Sequence, residues 1–422
     1  MIRLRSARFL GLAACAVLAS SVLVSSVLAS SVRVAPAAQW TPSWFASPEP
    51  GWVAGAVLQD QTVREMVHLS AGGAAIRIRL SNAGGAKPLH LDQVRVALRA
   101  SGGDINPSTD RAVTFQGHGD VTVAPGAYAL SDPIPLKVAP QSDLAVSLYT
   151  RDPAPETTVH LTQRSAIYLA DGDVARQARL TPSAKALAQG DAGLWLDEVE
   201  VAGGSGGLVV AFGDSITDGL GLAPDTHATW PDLLFGRLKA AGLRLSVINA
   251  GISGNRLLHN GAWPPFGPAG LARFDDDVLT QPQLRAVIVL IGINDIGQVG
   301  QGAPQSDFVS TQAIEDGLTQ LAARAHQRGL KIYLGTLTPF KPTTIKGYYS
   351  NDKESQRRAV NAWIRANTVF DGVVDFERAL ADPTHPDQLA PAFDSGDHLH
   401  PSAAGHAALA AAVPLNWFRF GR

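Results

Sequence analysis

The chain has 422 residues, enough for two or three domains with cores of their own. Charged residues make up 17% and the net charge is −2, a balance that argues against nucleic acid as a partner. The single cysteine, Cys15, excludes a disulfide framework.

Arg3, Arg5 and Arg8 precede an apolar run from Phe9 to about Ala29, and an Ala-x-Ala step follows at Ala35–Ala37. This pattern predicts a secretory signal peptide over 1–37 and an exported protein, periplasmic or secreted. A retained membrane anchor is a second reading, because the run is almost long enough to span a bilayer. A third is a lipoprotein site at Leu12-Ala13-Ala14-Cys15, against which the long apolar run after Cys15 speaks. Residues 1–37 hold four arginines and no acid, so the chain from Ala38 carries 31 basic and 37 acidic side chains, a net charge of −6. Cleavage would also leave no cysteine, hence no disulfide, no thiol nucleophile and no Cys metal site, and by removing the apolar run it would leave no stable membrane insertion.

Residues 38–202 read as an all-β accessory domain. Ile76-Arg77-Ile78-Arg79-Leu80 alternates apolar and basic residues, as a half-buried strand does. Val94–Val96, Val121–Val123 and Leu144–Leu148 repeat the theme, separated by turns such as Pro125-Gly126 and Asp152-Pro153. The expected architecture is a β-sandwich of jelly-roll type. Gly203-Gly204-Ser205-Gly206-Gly207 matches a G-x-S-x-G nucleophile elbow in letters only. Glycines on every side make it a linker, 203–207.

From Leu208 the period changes. Apolar runs at Leu208–Phe212, Leu245–Ile248, Ala286–Ile291, Ile332–Leu334 and Val373–Val374 predict buried parallel strands. Amphipathic segments at Trp230–Ala241, Thr311–Arg328 and Lys353–Thr368 lie between them, and an Ala-rich helix is predicted from Pro401 to Val413. Residues 208–422 are therefore an α/β domain with a doubly wound parallel sheet. Ligands in such folds bind beyond the C-terminal ends of the strands, so chemical motifs should follow strands.

Ser215, in Ala211–Gly219, lies three residues after the first predicted strand, where the chain turns into a helix. A serine there exposes its Oγ and can aim its own N–H at an oxyanion. Its hydroxyl needs a base. Asp397-His398-Leu399-His400-Pro401 supplies one: His400 enters the last helix, and Asp397 can hold one imidazole nitrogen while the other faces Ser215. By composition Asp394, Asp397, His398 and His400 also offer metal-ligand types, but the serine arrangement already uses two of the four.

At these residues the chain resembles the SGNH, or GDSL-type, hydrolases, serine esterases and lipases on a flavodoxin-like α/β fold. The blocks occur in order: Gly213-Asp214-Ser215, Gly254 within Asn249–Asn255, Gly292-Ile293-Asn294-Asp295, and Asp397 to His400. Ile216 stands where the family's name block has leucine, and the resemblance covers about residues 208–418. It implies Ser215 as nucleophile, His400 as base and Asp397 as its orienting acid. It also implies an oxyanion hole of the Ser215 and Gly254 N–H groups and the Asn294 amide, with no cofactor and no metal. Gly251 is an alternative to Gly254, and Asn294 has a second reading as a loop cap. Asp295 is expected to bond loop backbone, Asp218 to cap the helix after Ser215, and His398 to sit behind the site or in solvent. Asn255, Arg256, His259 and Trp263, in a Gly- and Pro-rich loop, are candidate substrate contacts; Trp263 would stack on a sugar ring or simply pack its own loop.

The β domain, with Ser108–Phe115, is similar to the leader domain of a bacterial subgroup of this family described as resembling xylanase-associated esterase units. The leading expectation is an exported serine esterase that removes short acyl groups, acetyl above all, from carbohydrate. A lysophospholipase, lipase or thioesterase, an O-acyl transferase, and a non-catalytic glycan-binding protein are the rival readings. Oligomeric state is not legible.

Overall fold

The computed structural model describes residues 39–420 apart from 186, 188, 189, 191, 204 and 205. The expected signal segment 1–37, with Cys15, lies outside the described residues, as do Gly204 and Ser205 of the linker.

Strands β1 (Trp40–Phe45), β2 (Gln61–His68), β3 (Ile76–Ser81), β4 (Gln93–Ser101), β5 (Tyr128–Leu130), β6 (Asp143–Thr150), β7 (Ile167–Asp171) and β8 (Leu196–Ala202) form two antiparallel sheets. The orders are β1-β8-β3-β5 and β7-β2-β6-β4, the second sheet being extended beyond β4 by the short strands Asp104–Ile105 and Arg111–Ala112. Alternation drives the packing. Ile76, Ile78 and Leu80 point into a core shared with Val63, Val94, Val146 and Val199 from both sheets, which makes a sandwich. The intervening arginines are not left to solvent: Arg79 pairs with Asp197 at 3.0 Å and Glu198 at 2.8 Å, and Arg77 pairs with Glu200, all on neighbouring β8.

Strands β9 (Leu208–Gly213), β10 (Ser246–Gly251), β11 (Leu284–Leu290), β12 (Lys331–Gly335) and β13 (Gly372–Val374) form one parallel sheet, ordered β10-β9-β11-β12-β13. This is the flavodoxin order, and it reverses between β9 and β11. The helices used below are α1 (Ser215–Asp218), α2 (Trp230–Ala240), α3 (Ile293–Gly297), α4 (Thr311–Gln327), α5 (Asn351–Ala366) and α6 (Ala403–Ala412). Helices α4 and α5 cover one face of the sheet through Ile314, Leu318, Val360 and Ile364. Helices α2 and α6 cover the other through Trp230, Leu234 and Leu409. Thr229 caps α2 in a reciprocal capping box with Asp232.

Two boundaries differ from the sequence reading for a local reason. Helix α5 starts at Asn351 rather than Lys353 because Ser350 caps it, its side chain accepting from the Lys353 N–H. Helix α6 starts after Pro401, since Ser402 is the cap and accepts from the Gly405 N–H.

Ala38–Arg422 forms one compact unit. Phe45 of β1 packs into the core on the α4/α5 face of the parallel sheet. Ser246 Oγ donates to the Pro42 carbonyl at 2.5 Å and lies 2.8 Å from Ser70 Oγ. Among the described residues no helix is long and apolar enough to cross a membrane.

Candidate active site

Ser215 opens α1 directly after β9. Helix α1 is a single turn, capped by Asp214, whose carboxylate accepts the Ile216 N–H at 3.1 Å, and closed by Gly219 at φ 104°. Burial pushes Asp214 up to about 7, opposed by that N–H and by Arg273. The turn is tight: a Cβ at Gly213 would stand 2.2 Å from Thr217 Oγ1, and one at Gly251 would stand 2.4 Å from the Asp218 nitrogen.

Ser215 Oγ lies 2.8 Å from His400 Nε2. His400 Nδ1 lies 2.5 Å from Asp397 Oδ2. The other oxygen, Asp397 Oδ1, accepts the backbone N–H groups of His400 at 2.8 Å and Leu399 at 3.0 Å. Partial burial would raise the Asp397 pKa. The hydrogen bond and charge of His400, with these two N–H groups, outweigh burial and hold the carboxyl well below the usual range. Ser215, His400 and Asn294 are each 4% exposed.

The N–H groups of Ser215 and Gly254 have no protein partner among the described residues. Gly251 does have one: its N–H donates to Asn249 Oδ1 at 2.9 Å, whereas the Gly254 N–H stays available. Gly254 sits at φ 76°, and a Cβ there would come within 2.3 Å of the Phe266 ring. Asn294, on α3, is oriented from both sides. Its Oδ1 accepts from Tyr348 Oη at 2.8 Å and Gln298 Nε2 at 3.1 Å, while its Nδ2 donates to the Asn255 carbonyl at 3.0 Å. One amide hydrogen of Asn294 stays available. Gln298 Nε2 also donates to the Gly254 carbonyl at 2.7 Å, tying the two donors together.

Several residues do other work than their sequence context predicted. Asn255 and Arg256 are not substrate contacts. Asn255 is fully buried, donates to the carbonyls of Phe266 and Pro268 at 2.7 Å, and accepts from Arg273 at 3.0 Å. Arg256 is 2% exposed, pairs with Asp307 at 2.9 Å and donates to the Asn260 carbonyl. A loop with little regular structure needs such internal donors to satisfy its carbonyls. His259 is half-buried beside them. Trp263 is 39% exposed, with its ring 5.2 Å from that of Trp52 in the sandwich and 5.3 Å from Phe266. Asp218 caps no helix: it lies at the end of α1, 3.1 Å from His160 Nε2. Asp295, by contrast, bonds loop backbone as expected, accepting the N–H groups of Leu257 at 2.6 Å and Leu258 at 2.9 Å.

His398 is 40% exposed and pairs with Asp394, so Asp394 and Asp397 each serve their own histidine and do not gather as a ligand set. The group of possible metal ligands among the described residues is instead His68, Asp143 and His227. Its imidazoles stack face to face at 3.8 Å, and Arg99 stands 3.7 Å from Asp143.

Arg273, Gln298 and Tyr348 carry the site's framework, and nothing in their local sequence marks them. Arg273 is 4% exposed and donates to the carbonyls of Gly213 at 2.7 Å and Ala250 at 2.9 Å, joining the ends of β9 and β10. Its partners lie on four separate segments, a convergence no short motif records.

The sequence profile of the GDSL-like lipase/acylhydrolase family matches residues 211–408, from the strand before Ser215 into α6. Residues 211–408 belong to this family. The chain is a carboxylic ester hydrolase of the GDSL type. It is similar to an acetylxylan esterase from Geobacillus stearothermophilus, 29% identical over an alignment of 238 residues, which covers 51% of this chain and 98% of that protein. Similar solved structures include a catalytic mutant of an acetylxylan esterase from Geobacillus stearothermophilus, at 26% identity and a TM-score of 0.38, covering 51% of this chain and 96% of that one. A lipase/acylhydrolase from Enterococcus faecalis has 23% identity and a TM-score of 0.38, covering 49% and 92%.

For the oxyanion role expected of Asn294, Asn294→Ala removes one charge-stabilising donor and leaves Tyr348 Oη without its acceptor. The expected loss is about 10²–10³ in kcat, or ~3–4 kcal/mol, with a smaller change in KM. Steady-state kinetics on p-nitrophenyl acetate measures it. A kcat within threefold of wild type would remove Asn294 from the oxyanion hole.

Proposed function

We propose that this GDSL-type hydrolase is an exported esterase that removes short acyl groups, acetyl first among them, from carbohydrate. Ser215 Oγ attacks the ester carbonyl while His400 Nε2 takes its proton. The carbonyl oxygen, now negative, rests on the Ser215 and Gly254 N–H groups and the Asn294 amide. The carbon–oxygen bond to the sugar breaks, and His400 returns the proton to the departing hydroxyl. Water, deprotonated by His400, then opens the acyl-Ser215 ester and releases the carboxylic acid.

The observation that carries the carbohydrate reading is the aromatic edge beside the oxyanion loop. Phe266 packs on Gly254, Trp263 leans on Phe266, and Trp52 reaches across from the sandwich. Such a run of aromatic faces suits the apolar face of a pyranose ring. Similarity to an acetylxylan esterase supports the same substrate class. The basic-then-apolar order of residues 1–37 supports export.

The test compares p-nitrophenyl esters from C2 to C12 with acetylated xylan and lysophospholipid. A sharp preference for C2, with acetate released from the polysaccharide, is expected. Rates that climb with chain length to C8–C12 would overturn the short-acyl reading. Trp263→Ala is expected to raise KM for acetylated xylo-oligosaccharide about tenfold, the scale of one lost stacking contact of ~1.4 kcal/mol. It should leave kcat/KM on p-nitrophenyl acetate within twofold. Equal effects on both substrates would deny Trp263 a role in sugar binding.

A further inference from the structure

A chain of buried polar groups runs from the sandwich to the nucleophile turn. Glu49 and His160 lie in short strands of a small three-stranded sheet beside the two sheets of the sandwich, at Glu49–Pro50 and Thr158–His160, and Thr162 lies just beyond. His160 Nδ1 is 3.2 Å from Glu49 Oε1 and 3.1 Å from the Ser47 carbonyl. His160 Nε2 is 3.1 Å from Asp218 Oδ1. Asp218 Oδ2 accepts from Ser253 Oγ at 2.7 Å, and Ser253 Oγ accepts from Thr162 Oγ1 at 2.7 Å. Glu49, His160, Thr162, Asp218 and Ser253 all have less than a tenth of their surface exposed.

Both ring nitrogens of His160 face only acceptors, so the ring must be the doubly protonated imidazolium to satisfy them. Burial opposes that charge, but Asp218 and Glu49 outweigh it and raise the His160 pKa well above its ordinary value. Burial in turn pushes Glu49 up to about 7. Glu65, Asp214, Arg164 and Arg273 are other charged groups around the cluster.

Stability alone does not explain this arrangement. Apolar side chains of the same volume usually hold a buried contact as well as an ion pair or better. What the network touches is informative. Asp218 ends the single turn that Ser215 begins, and Ser253 immediately precedes Gly254. The two backbone donors of the oxyanion hole therefore hang from the two ends of one hydrogen-bonded unit. The unit's other side is anchored in the sandwich.

We propose that the sandwich serves catalysis through His160, a positioning residue that, with Glu49, Thr162, Asp218 and Ser253, holds the Ser215 and Gly254 N–H groups in register. This rests on the oxyanion-hole reading above. The sandwich is then a structural part of the active centre. A one-turn helix and an irregular loop have too few internal bonds to hold two donors to the tolerance that an oxyanion requires.

The full-length chain is tested as His160→Gln, Ser253→Ala and Thr162→Val beside wild type and Ser215→Ala. Kinetics on p-nitrophenyl acetate are read together with the rate of Ser215 phosphorylation by diethyl p-nitrophenyl phosphate and the melting temperature. His160→Gln and Ser253→Ala are expected to lower kcat by about 10- to 10²-fold, as sub-ångström misplacement does, with KM within about threefold. The phosphorylation rate should fall in parallel, because that reaction also needs the oxyanion donors. Thr162→Val should lower kcat about threefold through a weaker Ser253 bond. A folded Ser253→Ala protein with kcat within twofold of wild type, or with its loss confined to KM, overturns the proposal. If His160→Gln does not fold, Ser253→Ala and Thr162→Val decide by the same criterion. Ser215→Ala separates the two levels: activity retained there would remove the underlying mechanism, whereas an inactive Ser215→Ala beside an unaffected Ser253→Ala removes only the positioning role.

Discussion

Ser215→Ala will lower kcat for p-nitrophenyl acetate by about 10⁶-fold, the scale of losing a serine nucleophile, while circular dichroism and melting temperature stay as in wild type. The hydroxyl's partner is His400 Nε2 at 2.8 Å, so its removal costs the fold about 1 kcal/mol at most. The turn itself is held elsewhere. Asp214 still caps α1, Gly219 still closes it, and Arg273 still bonds the Gly213 carbonyl. What disappears is the atom that forms the acyl-enzyme. Residual turnover would come from water activated by His400 over intact oxyanion donors, about 10³–10⁴ above the uncatalysed rate. A folded variant that kept more than one hundredth of wild-type kcat would show that another group attacks the ester.

Asp397→Asn comes next, with an expected loss of about 10⁴ in kcat, or ~5.4 kcal/mol of barrier. The surroundings of the carboxylate set the direction. Asp397 Oδ1 already accepts the N–H groups of His400 and Leu399, so an asparagine must put its carbonyl oxygen there. Its NH₂ group then faces His400 Nδ1, 2.5 Å away in the wild type, and donates where the acid accepted. The imidazole proton is driven to Nε2, the nitrogen that must accept from Ser215. His400→Ala should be at least as damaging. His398→Ala should stay within threefold of wild type, since His398 is 40% exposed and bonded to Asp394. An active His400→Ala beside an inactive His398→Ala would reassign the base. The pH profile carries a related expectation. Because Asp397 is held below the usual carboxylate range, it stays charged as pH falls through 5 and neutralises only in stronger acid. No ionisation of this acid is therefore expected in kcat/KM between pH 4 and 5.5. One seen in that range would contradict the depressed Asp397.

Several strands of both halves were legible because each follows from local chemistry. Ile76–Leu80 alternates as one buried face demands, and Leu208–Phe212 is apolar throughout, as a strand covered on both sides must be. Gly213-Asp214-Ser215 and Asp397-x-x-His400 were legible for a similar reason. A one-turn helix after a strand and an acid three residues before a histidine are short-range devices whose spacing can be read directly. The sequence could not say which polar loop residues face substrate. Asn255 and Arg256 look like contacts in a Gly- and Pro-rich loop, yet both are buried to satisfy that loop's own carbonyls. The resemblance named Gly254 as the oxyanion glycine and left Gly251 open, because the partner of each N–H is not written in the local sequence. The tertiary structure has Asn249 occupying the Gly251 N–H and Phe266 closing over Gly254. Arg273, Tyr348 and His160 were invisible at this level. Ser215 and His400 are 185 residues apart, and His160 and Asp218 are 58 apart. Periodicity and capping set what lies within a turn or a strand of each residue. Contacts between separate segments are decided only when the cores form and bring those segments together.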